Sequence, residues 1–269
     1  MNKEQILKTL ENFYEAYPIV HKKKPYGYSV NGNWCAGVSS ISDFAPKDYL
    51  KFWSAKLVSE YLQPRLEEIK GMTQQEFEKL LETAKNQHAK KSTDALEIGT
   101  RVHDWVENYI KGNVLPVPKD ILNPITEFLK FEKRHEIEWI LSEKLVASLK
   151  HNVAGRLDSL VVIDGKLSLG DFKTSGQIDE NYYLQTAGYQ MCLEEMGIDG
   201  IEQRVIIRLP KKIDDGFEAV LVDTDYEKDK DAFLHRRYSF QWQNYVNTNF
   251  KEDAWFGRKK YKKLKIKKI

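Results

Sequence analysis

The sequence predicts an α/β (or α+β) fold, a central mixed β-sheet flanked by helices. Three observations carry this: apolar residues recur at helical spacing ahead of residue 136, strand-like runs begin at Ile137, and further helical stretches separate and follow those runs. No internal repeat or low-complexity block interrupts the pattern.

In order along the chain, residues 3–15 read as a short helix, and the Pro- and Gly-containing sequence to Ser40 reads as loop with one strand. From Pro46 to Ile110 three helices are predicted, on Pro46 near a first turn, the Leu50/Trp53/Leu57/Tyr61 spacing, the acid- and Lys-rich run Thr73–Lys91, and Ala95/Ile98/Val102/Val106/Tyr109. A fourth spans Asp120–His135. Strands follow at Trp139–Leu149, Val153–Ile163 and Leu167–Lys173, then a helix at Glu180–Met196, strands at Ile201–Leu209 and Phe217–Val222, and a helix at Tyr226–Asn249. The expected organisation is one domain over 1–269, with a helical section at about 44–135, a core at about 136–250 and a basic tail at 257–269.

Composition narrows the function classes. A hydrophobic share of 41% with 30% charged residues suits a compact soluble domain. No run of about 18 apolar residues offers a membrane span, and the start MNKEQILKTLENF lacks a signal-peptide core, so a cytoplasmic protein is expected. Cys35 and Cys192 are too few for a disulfide framework, a Cys-only zinc site or an iron–sulfur cluster. Any metal must then be held by oxygen and imidazole. Gly257–Ile269 carries eight Lys/Arg and no acid, against 34 basic and 40 acidic residues before it. Arg258, Lys259, Lys260, Lys262 and Lys263 therefore read as a polyanion-binding appendage on an acidic body, or else as a solvated end.

The stretch most informative about chemistry is Gly155–Thr174, GRLDSLVVIDGKLSLGDFKT. Asp164-Gly165 between strand-like runs is a two-residue hairpin signal. That turn sets Ile163 opposite Lys166 and, further along the same register, Asp158 opposite Asp171, where facing like charges destabilise a sheet unless something offsets them. A divalent cation such as Mg²⁺ or Mn²⁺, one ion or two, would do so. Alternation puts Lys173 on the surface of Asp171. Two carboxylates, a cation and an ammonium suit hydrolysis of a phosphodiester. The other reading is an ordinary ladder in which one Asp is protonated or paired with Arg156 or Lys173.

Further residues join this group. Glu143 lies on the preceding strand, while Gly99, His103 and Glu107 share one helix face, where Gly99 permits close backbone approach and His103 can reach an ion. Gln185 and Tyr189, four apart on the following helix, project together.

In their order, GTRVH, the strand Glu, GRLD, DFKT and YLQTAGY resemble the RecB-type branch of the PD-(D/E)XK nucleases over Gly99–Gln190. The resemblance implies a restriction-endonuclease-like core with an N-terminal helical section. It implies metal ligation by His103, Asp158, Asp171 and the carbonyl of Phe172, with Lys173 catalytic, Glu143 assisting, and Gln185 and Tyr189 organising the site. GVSSISDFAPKDYLKFWSAK, Gly37–Lys56, is similar to the entry segment of the branch containing mitochondrial genome maintenance exonuclease and phage relatives. That similarity implies action on single-stranded DNA ends in replication, recombination or repair, with proteins of those processes as partners. Tyr49, Phe52, Trp53 and Tyr61 would then stack bases or simply pack the core, and Arg156 would contact the backbone. The alternatives are an endonuclease or flap-cutting enzyme on the same core, and a DNA-binding recombination module with an idle site.

Overall fold

The computed structural model describes residues 1–23, 26–45 and 47–249. Its elements are α1 (Lys3–Ala16), β1 (Ile19–Lys23), β2 (Tyr26–Val30), β3 (Asn33–Gly37), α2 (Val38–Ser42), α3 (Tyr49–Leu62), α4 (Leu66–Ile69), α5 (Gln74–Lys85), α6 (Gln87–Ile110), α7 (Leu122–Arg134), β4 (Ile137–Ser148), β5 (Val153–Ile163), β6 (Lys166–Lys173), α8 (Asn181–Glu195), β7 (Gln203–Arg208), β8 (Glu218–Leu221) and α9 (Tyr226–Asn249). The strands form one mixed sheet, β1-β2-β3-β5-β6-β7-β8, with β4 on the remaining edge of β5. This is the predicted α/β class.

Helices cover both faces. Leu10, Ile41, Leu193 and Phe233 bring α1, α2, α8 and α9 onto one core, and Val106, Phe128 and Ile207 bring α6 and α7 onto another. The neighbours Leu160 and Val161 point into different cores, as strand alternation requires. Among the described residues no helix is long and apolar enough to cross a membrane.

Two expectations need correction. The segment before Ser40 holds three strands and the short helix α2, not a loop with one strand. Its signal is Asn31-Gly32, both at positive φ (46° and 83°), which joins β2 to β3 as a tight hairpin. The helical region is also divided differently: α6 runs unbroken for 24 residues, and α5 before it starts at a Thr73/Glu76 capping box.

The β5–β6 register is as the Asp-Gly turn dictates. Asp164 and Gly165 have φ of 50° and 81°, and pairing runs from Ile163↔Lys166 to Ser159↔Gly170. There the ladder stops, one pair short of the expected Asp158–Asp171 opposition. The cause is local. Leu157 and Leu160, three apart, pack into the same core, so alternation slips at Asp158–Ser159. Opposite, between the pairs Ser142↔Ser159 and Lys144↔Leu157, Glu143 takes a left-handed φ of 52°. This matching kink in β4 and β5 turns both side chains out of the regular pleat.

Candidate active site

β5 is paired with β4 along its whole length, whereas its other edge is divided between β3, at Val153–Ala154, and β6, from Ser159 onward. Among the described residues no strand pairs with that edge at Gly155–Asp158. Tyr189 of α8 comes in there: a Cβ on Gly155 would sit 2.7 Å from its ring and 3.2 Å from Val38. This close approach explains the glycine of GRLD. Gly155→Ala should therefore cost about 1–3 kcal/mol by overpacking and reduce any activity that depends on Tyr189. A thermal melt equal to wild type would show that the ring yields freely.

Asp158 and Asp171 are both buried, at 7% and 0% exposure. Where the ladder ends, Asp158 Oδ2 accepts the Phe172 N–H at 2.7 Å, while the hydroxyl of Ser142 donates to the Asp158 carbonyl at 3.1 Å. His103 reaches in from α6, with Nδ1 3.2 Å from Glu143 Oε1 and 3.7 Å from Asp158 Oδ1. Its ring meets Phe172 edge-to-face. Gly99, one turn earlier, lets α6 approach the end of β6, since a Cβ there would lie 3.1 Å from Thr174 Oγ1. Gln185 Nε2 donates to Asp171 Oδ1 at 3.3 Å and to the Tyr189 hydroxyl at 3.4 Å. Lys173 Nζ lies 2.6 Å from Asp171 Oδ2 and 4.8 Å from the centre of the Tyr182 ring.

Charge is unevenly matched here. Burial disfavours a charged His103, but Asp158 and Glu143 outweigh it and raise its pKa to about 9. Burial raises the Asp171 carboxyl to about 6, against the ammonium of Lys173 and with the repulsion of Asp158. Lys173 is itself opposed by burial, yet Asp171 and Asp158 hold it above its usual value, so it stays protonated. Tyr189 is pushed well up by burial and by both aspartates, and remains a phenol.

The group fits a divalent cation on two grounds. Donor atoms of His103, Glu143 and Asp158 lie within 4.8 Å of one another, an oxygen-and-imidazole set. Asp171 Oδ2 is buried and accepts no well-angled hydrogen bond, although Lys173 is close to it. His103, Glu143, Asp158, Lys173, Gln185 and Tyr189 border one open cleft of about 520 Å³, which Phe172 also lines although its ring sits in the core, while Asp171 is fully buried behind its wall.

Other expected residues are placed differently. Arg156 lines the cleft but its Nε is 2.9 Å from Glu143 Oε2, so a strand carboxylate already engages it. Glu107 points away to Lys111. Trp53 and Tyr61 on α3 are half-buried and Tyr49 and Phe52 exposed, but none lines the cleft. Arg258, Lys259, Lys260, Lys262 and Lys263 lie outside the described residues. The structure adds cleft residues that the sequence reading missed, among them Tyr28, Ser39, Tyr182 and Lys211. Tyr182 had a usable signal, three residues before Gln185 on the same helix face.

In comparisons with known proteins, the chain matches no family model and no curated protein.

Proposed function

We propose that the protein is a metal-dependent nuclease of the PD-(D/E)XK type that hydrolyses DNA phosphodiesters, acting on single-stranded ends. The observation that carries this reading is the convergence of His103, Glu143, Asp158 and Lys173 on one open cleft, with Asp171 buried directly behind Lys173. His103, Glu143, Asp158 and Asp171 would hold Mg²⁺ or Mn²⁺, with the Phe172 carbonyl as a further ligand. When bound, such an ion polarises the phosphoryl oxygen and acidifies a water molecule. Lys173, kept protonated by its two aspartates, presents a positive charge where negative charge grows on the phosphate. Gln185, itself bonded to the Tyr189 hydroxyl, orients Asp171 through its donation to Oδ1. The resemblance in motif order supports a DNA partner and a repair or recombination setting, and the basic tail would add contacts with phosphates.

Oligonucleotides, end-labelled when linear and internally labelled when circular, single- and double-stranded, test this with Mg²⁺, Mn²⁺ or EDTA. Progressive shortening of the linear single strand is expected with either ion, none in EDTA, and little on a blunt duplex. Rapid cutting of the closed single-stranded circle would move the assignment to an endonuclease. No cleavage of any substrate with either ion would reject the nuclease reading.

A further inference from the structure

Besides His103, three cations among the described residues line the cleft, and their charges are met in different ways. Lys173 has Asp171 and Arg156 has Glu143. Lys211, on the loop after β7, has no ion-pair partner among the described residues. Its Nζ donates to the main-chain carbonyl of Ala95 on α6 at 3.1 Å, which ties the loop across to the helix wall. Lys211 is half-buried, and burial lowers its pKa. A partly desolvated ammonium bound only to a neutral carbonyl is poorly compensated, and an anion entering the cleft would supply what it lacks.

Position decides which anion. Ala95 precedes His103 by eight residues of continuous helix, a rise of about 12 Å along α6 between the residue that anchors the ammonium and the one that meets the carboxylates. The ammonium is thus anchored two turns along the helix wall from the metal-binding group. Beside the anchor, Leu96 lines the same cleft and is 72% exposed. An exposed apolar side chain next to an unpaired cation matches the two chemistries of a single-strand nucleotide, an unstacked base and a phosphate.

We infer that Lys211 and Leu96 form a subsite for a nucleotide flanking the scissile bond, Lys211 taking its phosphate and Leu96 its base or sugar. The inference rests on the nuclease reading for its substrate, but its effect is separable from chemistry. A minimal diester, bis(4-nitrophenyl) phosphate, has no flanking nucleotide and cannot reach the subsite. Lys211→Met keeps the aliphatic stem and removes the charge. Its loss of kcat/KM on a single-stranded oligonucleotide should exceed its loss on the minimal diester by about tenfold, the scale of one charge-assisted hydrogen bond. Lys211→Arg should restore most of the difference, and Leu96→Ala should show a smaller loss of the same kind.

Binding supplies an independent arm. In EDTA, fluorescence anisotropy with a labelled single strand should show weaker binding by Lys211→Met and a log–log salt slope reduced by about 0.7, one phosphate contact. Equal losses on both substrates, or no change in cleavage and salt slope, would overturn the subsite. Should the wild type cleave neither substrate, the nuclease reading fails, and the anisotropy arm still decides whether Lys211 binds a phosphate.

Discussion

Asp158→Asn, Asp171→Asn and Lys173→Ala are each expected to slow single-strand cleavage by about 10²–10³-fold while leaving the fold intact. Asp158 supplies a carboxylate at the cleft and Asp171 one buried behind it, and Lys173 supplies the only ammonium beside them among the described residues. The same geometry predicts what happens to stability. In the folded protein the Asp171 pKa is raised to about 6, so its charge is unwelcome at neutral pH, and in EDTA Asp171→Asn should melt no lower than wild type. The Asn at 158 can still accept the Phe172 N–H, and it likewise relieves the repulsion with Asp171. Wild-type cleavage rates in any of the three variants would remove that residue from the site.

His103 gives the second large effect, in pH. Its pKa rises from 6.5 to about 9 on folding, so the folded protein holds this proton more tightly than the unfolded chain. The stabilisation is fully present below pH 6.5 and is lost as pH climbs through 9. In EDTA, wild type should lose on the order of 3 kcal/mol across that window relative to His103→Gln. Melting curves at several pH values measure this directly, and parallel pH profiles for the two proteins would refute it. Mn²⁺ should show the reciprocal trend, binding more tightly as pH rises, because only the neutral imidazole ligates.

Much of the fold was legible because single dipeptides set long stretches of structure. Asp164-Gly165 set the register of β5 against β6 for five pairs, and the spacing of Gln185 and Tyr189 linked the two, with Gln185 on Asp171. The failure at the next pair was not legible. It depends on a slip at Asp158–Ser159 matched by a left-handed Glu143, a property of two strands packed together and not of either sequence alone. Asn31-Gly32 did carry a hairpin signal, but the surrounding Gly- and Pro-containing sequence read as loop. Lys211 carried no signal at all, since a lysine after a strand is commonplace. Its role depends on Ala95, 116 residues away. For the aromatics of α3 the sequence leaves base stacking and core packing both open, and none of them lines the cleft.

The left-handed backbone at Glu143 has a bearing on how such a chain drifts under selection. A residue with a Cβ is held there at about 1–2 kcal/mol above what glycine would require. Mutational drift constrained by backbone strain alone would favour glycine or asparagine at this position and would not preserve a carboxylate. The glutamate here offsets that backbone cost through its oxygens on His103 and Arg156, so replacing it by glycine would relax the strand and unpair two cations at once.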